Sequence, residues 1–75
     1  MRENAIAVKI FENRTRLHMS QKELGERVGV SNRAVSKWEN GLSYPSTETC
    51  YKLAKVFKIS MDMLMTESRD DSADW

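Results

Sequence analysis

Apolar residues in this chain recur at intervals of three and four, while strict alternation is scarce. That spacing predicts helices and not strands. Ile6, Ile10 and Leu17 lie close to one line of a helix, with Ala7 and Phe11 widening it and Arg14 beside it, which predicts a first helix from Asn4 to Arg16. A second helix is expected to begin at Ser20. Ser20 and Glu23 have the spacing of a capping box, in which the hydroxyl accepts from the Glu23 amide and the carboxylate reaches back. Leu24 and Val28 form its inner line, and Gly29 supplies a left-handed stop. Ser31 caps a short third helix that stops at Asn40 and Gly41. Residues 41–46 read as a loop, because Pro45 disfavours helical backbone at Tyr44. Ser46 caps a fourth helix, Thr47 to Lys58, in which Cys50, Leu53, Ala54 and Phe57 form a stripe at i, i+3, i+4 and i+7. Ser60 caps a last short helix carrying Met61 and Leu64. Five helices with short connections predict an all-α fold, a compact five-helix bundle.

Composition narrows the reading. A chain of 75 residues makes one domain. Cys50 is the only cysteine and His18 the only histidine. No intrachain disulfide can form, and two such ligands do not make a four-ligand zinc site. Neither a metal nor a cofactor is expected. The N-terminal MRENAIAVKI breaks its apolar residues with charges, unlike a signal peptide. No apolar run approaches the ~20 residues of a membrane span. A soluble, cytoplasmic protein is expected. The formal net charge of +1 is unevenly spread. Residues 1–66 carry 11 Lys and Arg against 7 Asp and Glu, whereas residues 67–75 carry Arg69 against Glu67, Asp70, Asp71 and Asp74. The expected organisation is a mildly basic domain over residues 1–66 and an acidic, flexible tail over 67–75. Charge alone leaves an ordinary solvated surface as an equal reading.

The stretch from Gln21 to Asn40 carries the most information. Two short helices meet at Val28-Gly29-Val30-Ser31. Helices crossing steeply approach closely at one point, where a residue without a side chain, Gly25, fits. Gly29 suits the positive φ that the turn needs. Leu24, Val28, Val35 and Trp38 then face the bundle. On a wheel of ~100° per residue, Asn32, Arg33, Ser36, Lys37 and Asn40 fall within about 140° of arc. Ser31, Ala34, Val35 and Trp38 fall opposite, with Glu39 near the inner edge. The outer face is polar or basic and free of acids. Arg or Lys can reach guanine O6 and N7 in a major groove, and Asn can reach adenine N6 and N7, so this face suits base reading.

The run SQKELGERVGVSNRAVSKWENG, followed by Pro45 and by Leu53-Ala54-Lys55, resembles the phage repressor and Cro family of helix-turn-helix proteins, also called the Xre family. The resemblance covers about residues 6–65 and implies a lambda-repressor-like DNA-binding domain of a bacterial or phage transcriptional regulator, a repressor by preference. It implies that Gln21 clamps a phosphate, that Asn32, Arg33 and Lys37 read bases, and that Ser36 faces the groove. It implies phosphate contacts at Asn40 and around Ser43 and Tyr44. It further implies an Arg14–Glu39 ion pair that orients the third helix, and a homodimer contact around Phe57, Lys58, Ile59 and Met61. The partner would be a roughly palindromic double-stranded operator. Gly25 departs from the family, where alanine is usual; glycine keeps the close approach but weakens the helix by ~1 kcal/mol.

Other readings stand beside these. Trp38 has a base-stacking and a core reading, and its wheel position favours the core. Cys50 is either a redox sensor or a small core residue, and the buried stripe favours the second. His18 reads as an exposed loop residue. Met19, Met61, Met63 and Met65 either fill the core or line a soft binding surface, with core filling preferred. A protein-interaction module, such as an antitoxin or adaptor, is the alternative function, since fold does not fix function. The acid-free outer face of the third helix speaks for DNA. No constellation of His, Cys and Asp supports catalysis, so an enzyme is not expected. The domain would also suit the N-terminal part of a larger protein.

Overall fold

Four serines set the starts of helices in the computed structural model, which describes residues 5–65. The helices are α1 (Ala5–Arg16), α2 (Gln21–Val28), α3 (Asn32–Glu39), α4 (Thr47–Phe57) and α5 (Met61–Met65), with no strand among the described residues. The fold is the all-α five-helix bundle that the spacing predicts. The expected start at Asn4 and the acidic residues 67–75 lie outside the described residues. The hydroxyl of Ser20 accepts from the Glu23 amide at 2.9 Å, that of Ser31 from Ala34 at 3.2 Å, that of Ser46 from Thr49 at 3.2 Å and that of Ser60 from Met63 at 3.0 Å. Each satisfies an amide that the first turn leaves without a helical partner. Ser20 supplies half of the expected capping box. The Glu23 carboxylate turns instead to Arg27, 3.5 Å away.

Left-handed backbone follows each of the four longer helices, within two residues of its end. Gly29 (φ 83°) follows α2 and Gly41 (φ 74°) ends the turn after α3. Non-glycine residues fill the same role at His18 (φ 60°) after α1 and at Lys58 (φ 61°) after α4. Each stop is closed by a backbone bond spanning five residues: Met19 N–H to Arg14 O, Val30 to Gly25, Leu42 to Lys37, and Ile59 to Ala54. These bonds satisfy carbonyls that a helix end otherwise exposes.

One contiguous core lies inside the bundle. Ile6 and Ile10 of α1, Leu24 and Val28 of α2, Val35 and Trp38 of α3, Cys50, Leu53 and Phe57 of α4 and Leu64 of α5 are all buried in it. Each large apolar side chain so buried contributes ~1.5–3 kcal/mol relative to exposure. A five-residue helix such as α5 is too short to persist alone. Leu64, fully buried, anchors it where α5 packs on α1 and α4.

Two expected core residues lie elsewhere. Leu17 falls after the end of α1 and stays 37% exposed. The left-handed turn at His18 ends the helical phase, and Met19, 6% exposed, enters the core in its place. Phe11 is 50% exposed, with its ring centroid 5.5 Å from the Arg14 guanidinium carbon. The methionines divide. Met19 is buried and Met61 packs against the core, whereas Met63 and Met65 are exposed.

Gly25 decides how α2 meets the turn. A Cβ at this position would stand 2.6 Å from the Val30 carbonyl oxygen, closer than side-chain carbons come to backbone. The Val30 amide donates to the Gly25 carbonyl at 2.8 Å, so the two backbones are already in register. The glycine thus permits a closer approach than alanine would.

Candidate nucleic-acid interface

Burying one face of α3 determines what the other face can present. Val35 and Trp38 are sunk in the core, and Ala34 packs partly against it. Asn32, Arg33 and Lys37 are left exposed and Ser36 half-buried on the outer side. Arg33 and Lys37 take no ion pair or hydrogen bond among the described residues, so their charge is available to a polyanion. Asn40 is exposed at the end of the helix, but its amide nitrogen already donates to the Ser36 carbonyl at 2.9 Å and lies 3.3 Å from the Ser36 hydroxyl. Its side-chain oxygen takes no hydrogen bond among the described residues. In the loop that follows, Ser43 is half-buried and Tyr44 exposed.

Beneath this face lies a polar clasp joining three helices. Arg14 Nε donates to Glu39 Oε2 at 2.6 Å and Nη2 to Glu39 Oε1 at 3.0 Å. The third donor, Nη1, reaches the Met19 carbonyl at 2.9 Å. Gln21 Nε2 donates to Glu39 Oε1 at 3.1 Å. The two-pronged fit of guanidinium to carboxylate fixes direction as well as distance. The ends of α1 and α3 and the start of α2 therefore share one charge pair, whose side chains are 13% and 6% exposed. Sequence reasoning placed Gln21 and Glu39 separately and missed the bond between them. No short-range spacing signals a contact across 18 residues.

The four residues expected at a dimer contact are not equally available. Lys58 is exposed, and Ile59 and Met61 are half-buried beside it. Phe57 is 1% exposed, so its side chain belongs to the core and is withdrawn from that surface. Its carbonyl accepts from Arg16 Nη2 at 3.1 Å, tying the end of α1 to the end of α4. Among the described residues no helix is long and apolar enough to cross a membrane, and no three His, Cys, Asp or Glu side chains group as metal ligands would.

A family model described as Helix-turn-helix matches residues 10–64. The chain is similar to the HTH-type transcriptional activator BcrR of Enterococcus faecalis, 36% identical over 58 residues, which make up 77% of this chain and 28% of BcrR. It is similar also to Repressor protein C2 of Salmonella phage P22, 39% identical over 57 residues, or 76% of this chain and 26% of C2. The chain thus matches about a quarter of the length of each of these relatives. The crystal structure of the P22 c2 repressor in complex with synthetic operator 9T superposes with a TM-score of 0.81 at 33% identity, covering 88% of this chain and 100% of that one. The matched span includes α2, α3 and the turn between them, and the chain belongs to the helix-turn-helix family of phage-repressor and Cro (Xre) type.

Proposed function

We propose that this chain binds double-stranded DNA sequence-specifically, as the DNA-reading domain of a bacterial or phage transcriptional regulator, a repressor by preference. The observation that carries the reading is the outer face of α3: acid-free, with Arg33 and Lys37 unpaired among the described residues, on a helix held through the buried Val35 and Trp38. In this reading α3 lies in the major groove, where Asn32, Arg33 and Lys37 meet base edges and Ser36 faces the groove. Gln21 at the start of α2, and Asn40, Ser43 and Tyr44 beyond α3, contact phosphates on either side. The P22 c2 repressor is described in complex with an operator, which supports operator DNA as the ligand class here.

Two copies bind a roughly palindromic site, with half-sites ~34 Å apart, one helical turn. Lys58, Ile59 and Met61 form the contact between them, with Phe57 behind as support. The work is done in the cytoplasm and is binding, not catalysis. Selection of random duplexes on the purified protein at two salt concentrations tests the proposal. Enrichment of a short palindrome or half-site that weakens as salt rises is expected, because each neutralised phosphate releases counterions. Failure to enrich any sequence at either salt contradicts it.

A further inference from the structure

We infer that Glu39 is a positioning residue for Gln21, so that one carboxylate both orients the base-reading helix and aims the amide that holds the DNA backbone. The inference rests on the DNA-binding reading above and deepens it.

A glutamine carboxamide offers a donor side and an acceptor side, and a half-turn exchanges them. Glu39 removes that freedom. An ionised carboxylate only accepts, so the Gln21 nitrogen must face Glu39 Oε1, at 3.1 Å, and the Gln21 oxygen must turn away. One N–H of the amide is thereby committed and the other is left for an incoming phosphate. The start of α2 suits such an anion. The Ser20 hydroxyl and carbonyl take the amides of Glu23 and Leu24, leaving those of Gln21 and Lys22 without a helical acceptor.

A bare carboxylate beside that site would repel phosphate. Here the Arg14 guanidinium engages both Glu39 oxygens, at 2.6 and 3.0 Å, and offsets their charge. The same guanidinium holds the Met19 carbonyl at 2.9 Å, just before α2. Met19 is itself buried, so the backbone leading into Gln21 is pinned as well as its side chain. Backbone clamping at Gln21 and base reading from α3 are therefore set by one group.

The test is a binding cycle in duplex DNA with a free-protein measurement beside it. Removing one member of the charge pair risks unfolding, so the background variant carries Arg14→Met with Glu39→Leu, replacing both charges by apolar groups. Gln21→Ala is expected to weaken binding of the unmodified chain about tenfold on every sequence, the scale of one bond to a charged group. In the Arg14→Met, Glu39→Leu background the same substitution is expected to change binding less than about twofold, since the amide there is no longer aimed. An equal tenfold loss in both backgrounds overturns the inference. Should the background variant not bind, the decision passes to the nuclear magnetic resonance of the Gln21 carboxamide in the DNA-free chain. One of its two protons, shifted and slow to exchange, and returning to ordinary behaviour in the Arg14→Met, Glu39→Leu chain while the backbone resonances stay dispersed, supports the inference. Two ordinary protons in the unmodified chain overturn it. A chain that binds no duplex at all contradicts the DNA-binding reading, while the resonance still judges the link between Glu39 and Gln21.

Discussion

Lys58 and His18 hold backbone that an L side chain resists. Both have φ near 60°, where the Cβ crowds the following carbonyl at ~1–2 kcal/mol per residue. Glycine carries no such crowding, though it loses more freedom on folding. At Lys58 the side chain is exposed and takes no hydrogen bond or ion pair among the described residues, so the balance favours replacement. Lys58→Gly is expected to stabilise the isolated domain by about 0.5–1 kcal/mol, raising Tm by roughly 4 °C in a thermal melt. An unchanged or lower Tm would mean that Lys58 has relieved its strain by other means. Cys50 makes a different kind of prediction. It is 2% exposed, and burial pushes its thiol above the ordinary value of 9.0. The unfolded thiol then ionises at lower pH than the folded one. This group leaves stability unaffected below pH 9.0 and lowers it as pH climbs beyond that value. Maleimide labelling of the native chain should therefore be slow, and should speed up in proportion to the unfolded fraction as urea is added. Rapid labelling without denaturant would show that Cys50 is reached through a local opening.

The helices were legible where a local signal marks them. Serine caps, the glycine stops at Gly29 and Gly41, and the stripe of α4 all depend on residues within one or two turns of each other. The ends at His18 and Lys58 carried no glycine, and the exchange of Leu17 for Met19 followed from the first of them. A left-handed turn shifts the register of everything after it, so a helical count carried past residue 16 points to the wrong side chain. Gly25 shows the same limit. Its small size was readable, but its contact with the Val30 carbonyl depends on how tightly the turn closes. At this position helix propensity and close packing oppose each other. Alanine gains ~1 kcal/mol from propensity. Against that, its Cβ would stand 2.6 Å from backbone oxygen and would force α2 and α3 apart. Overpacking of this sort typically costs ~1–3 kcal/mol. Gly25→Ala is expected to lower the denaturant midpoint, and a rise would show that the turn adapts without loss.

At the scale of the molecule, the arrangement separates a rigid inner side from a reading outer side. The core and the Arg14–Glu39–Gln21 clasp hold α3 from within, leaving its exposed residues to be chosen by the ligand and not by the fold. This is why the outer face was readable from its chemistry. Within the clasp, the Arg14–Glu39 pair was expected from the family resemblance, whereas the Gln21–Glu39 bond, joining residues far apart in the chain, was not readable. The separation also makes the roles of the outer residues distinguishable. A phosphate contact carries no sequence information, and a base contact carries information at one position. Arg33 is exposed and unpaired among the described residues, and its loss should leave the fold untouched. The most direct test repeats the duplex selection with Arg33→Ala and compares its motif, position by position, with that of the unmodified chain. The account predicts a loss of about 1–3 kcal/mol on the preferred site and relaxed preference at one base pair of each half-site, with the remaining positions unchanged. An unaltered motif, or an equal loss on all sequences, would contradict the claim that this face of α3 reads DNA.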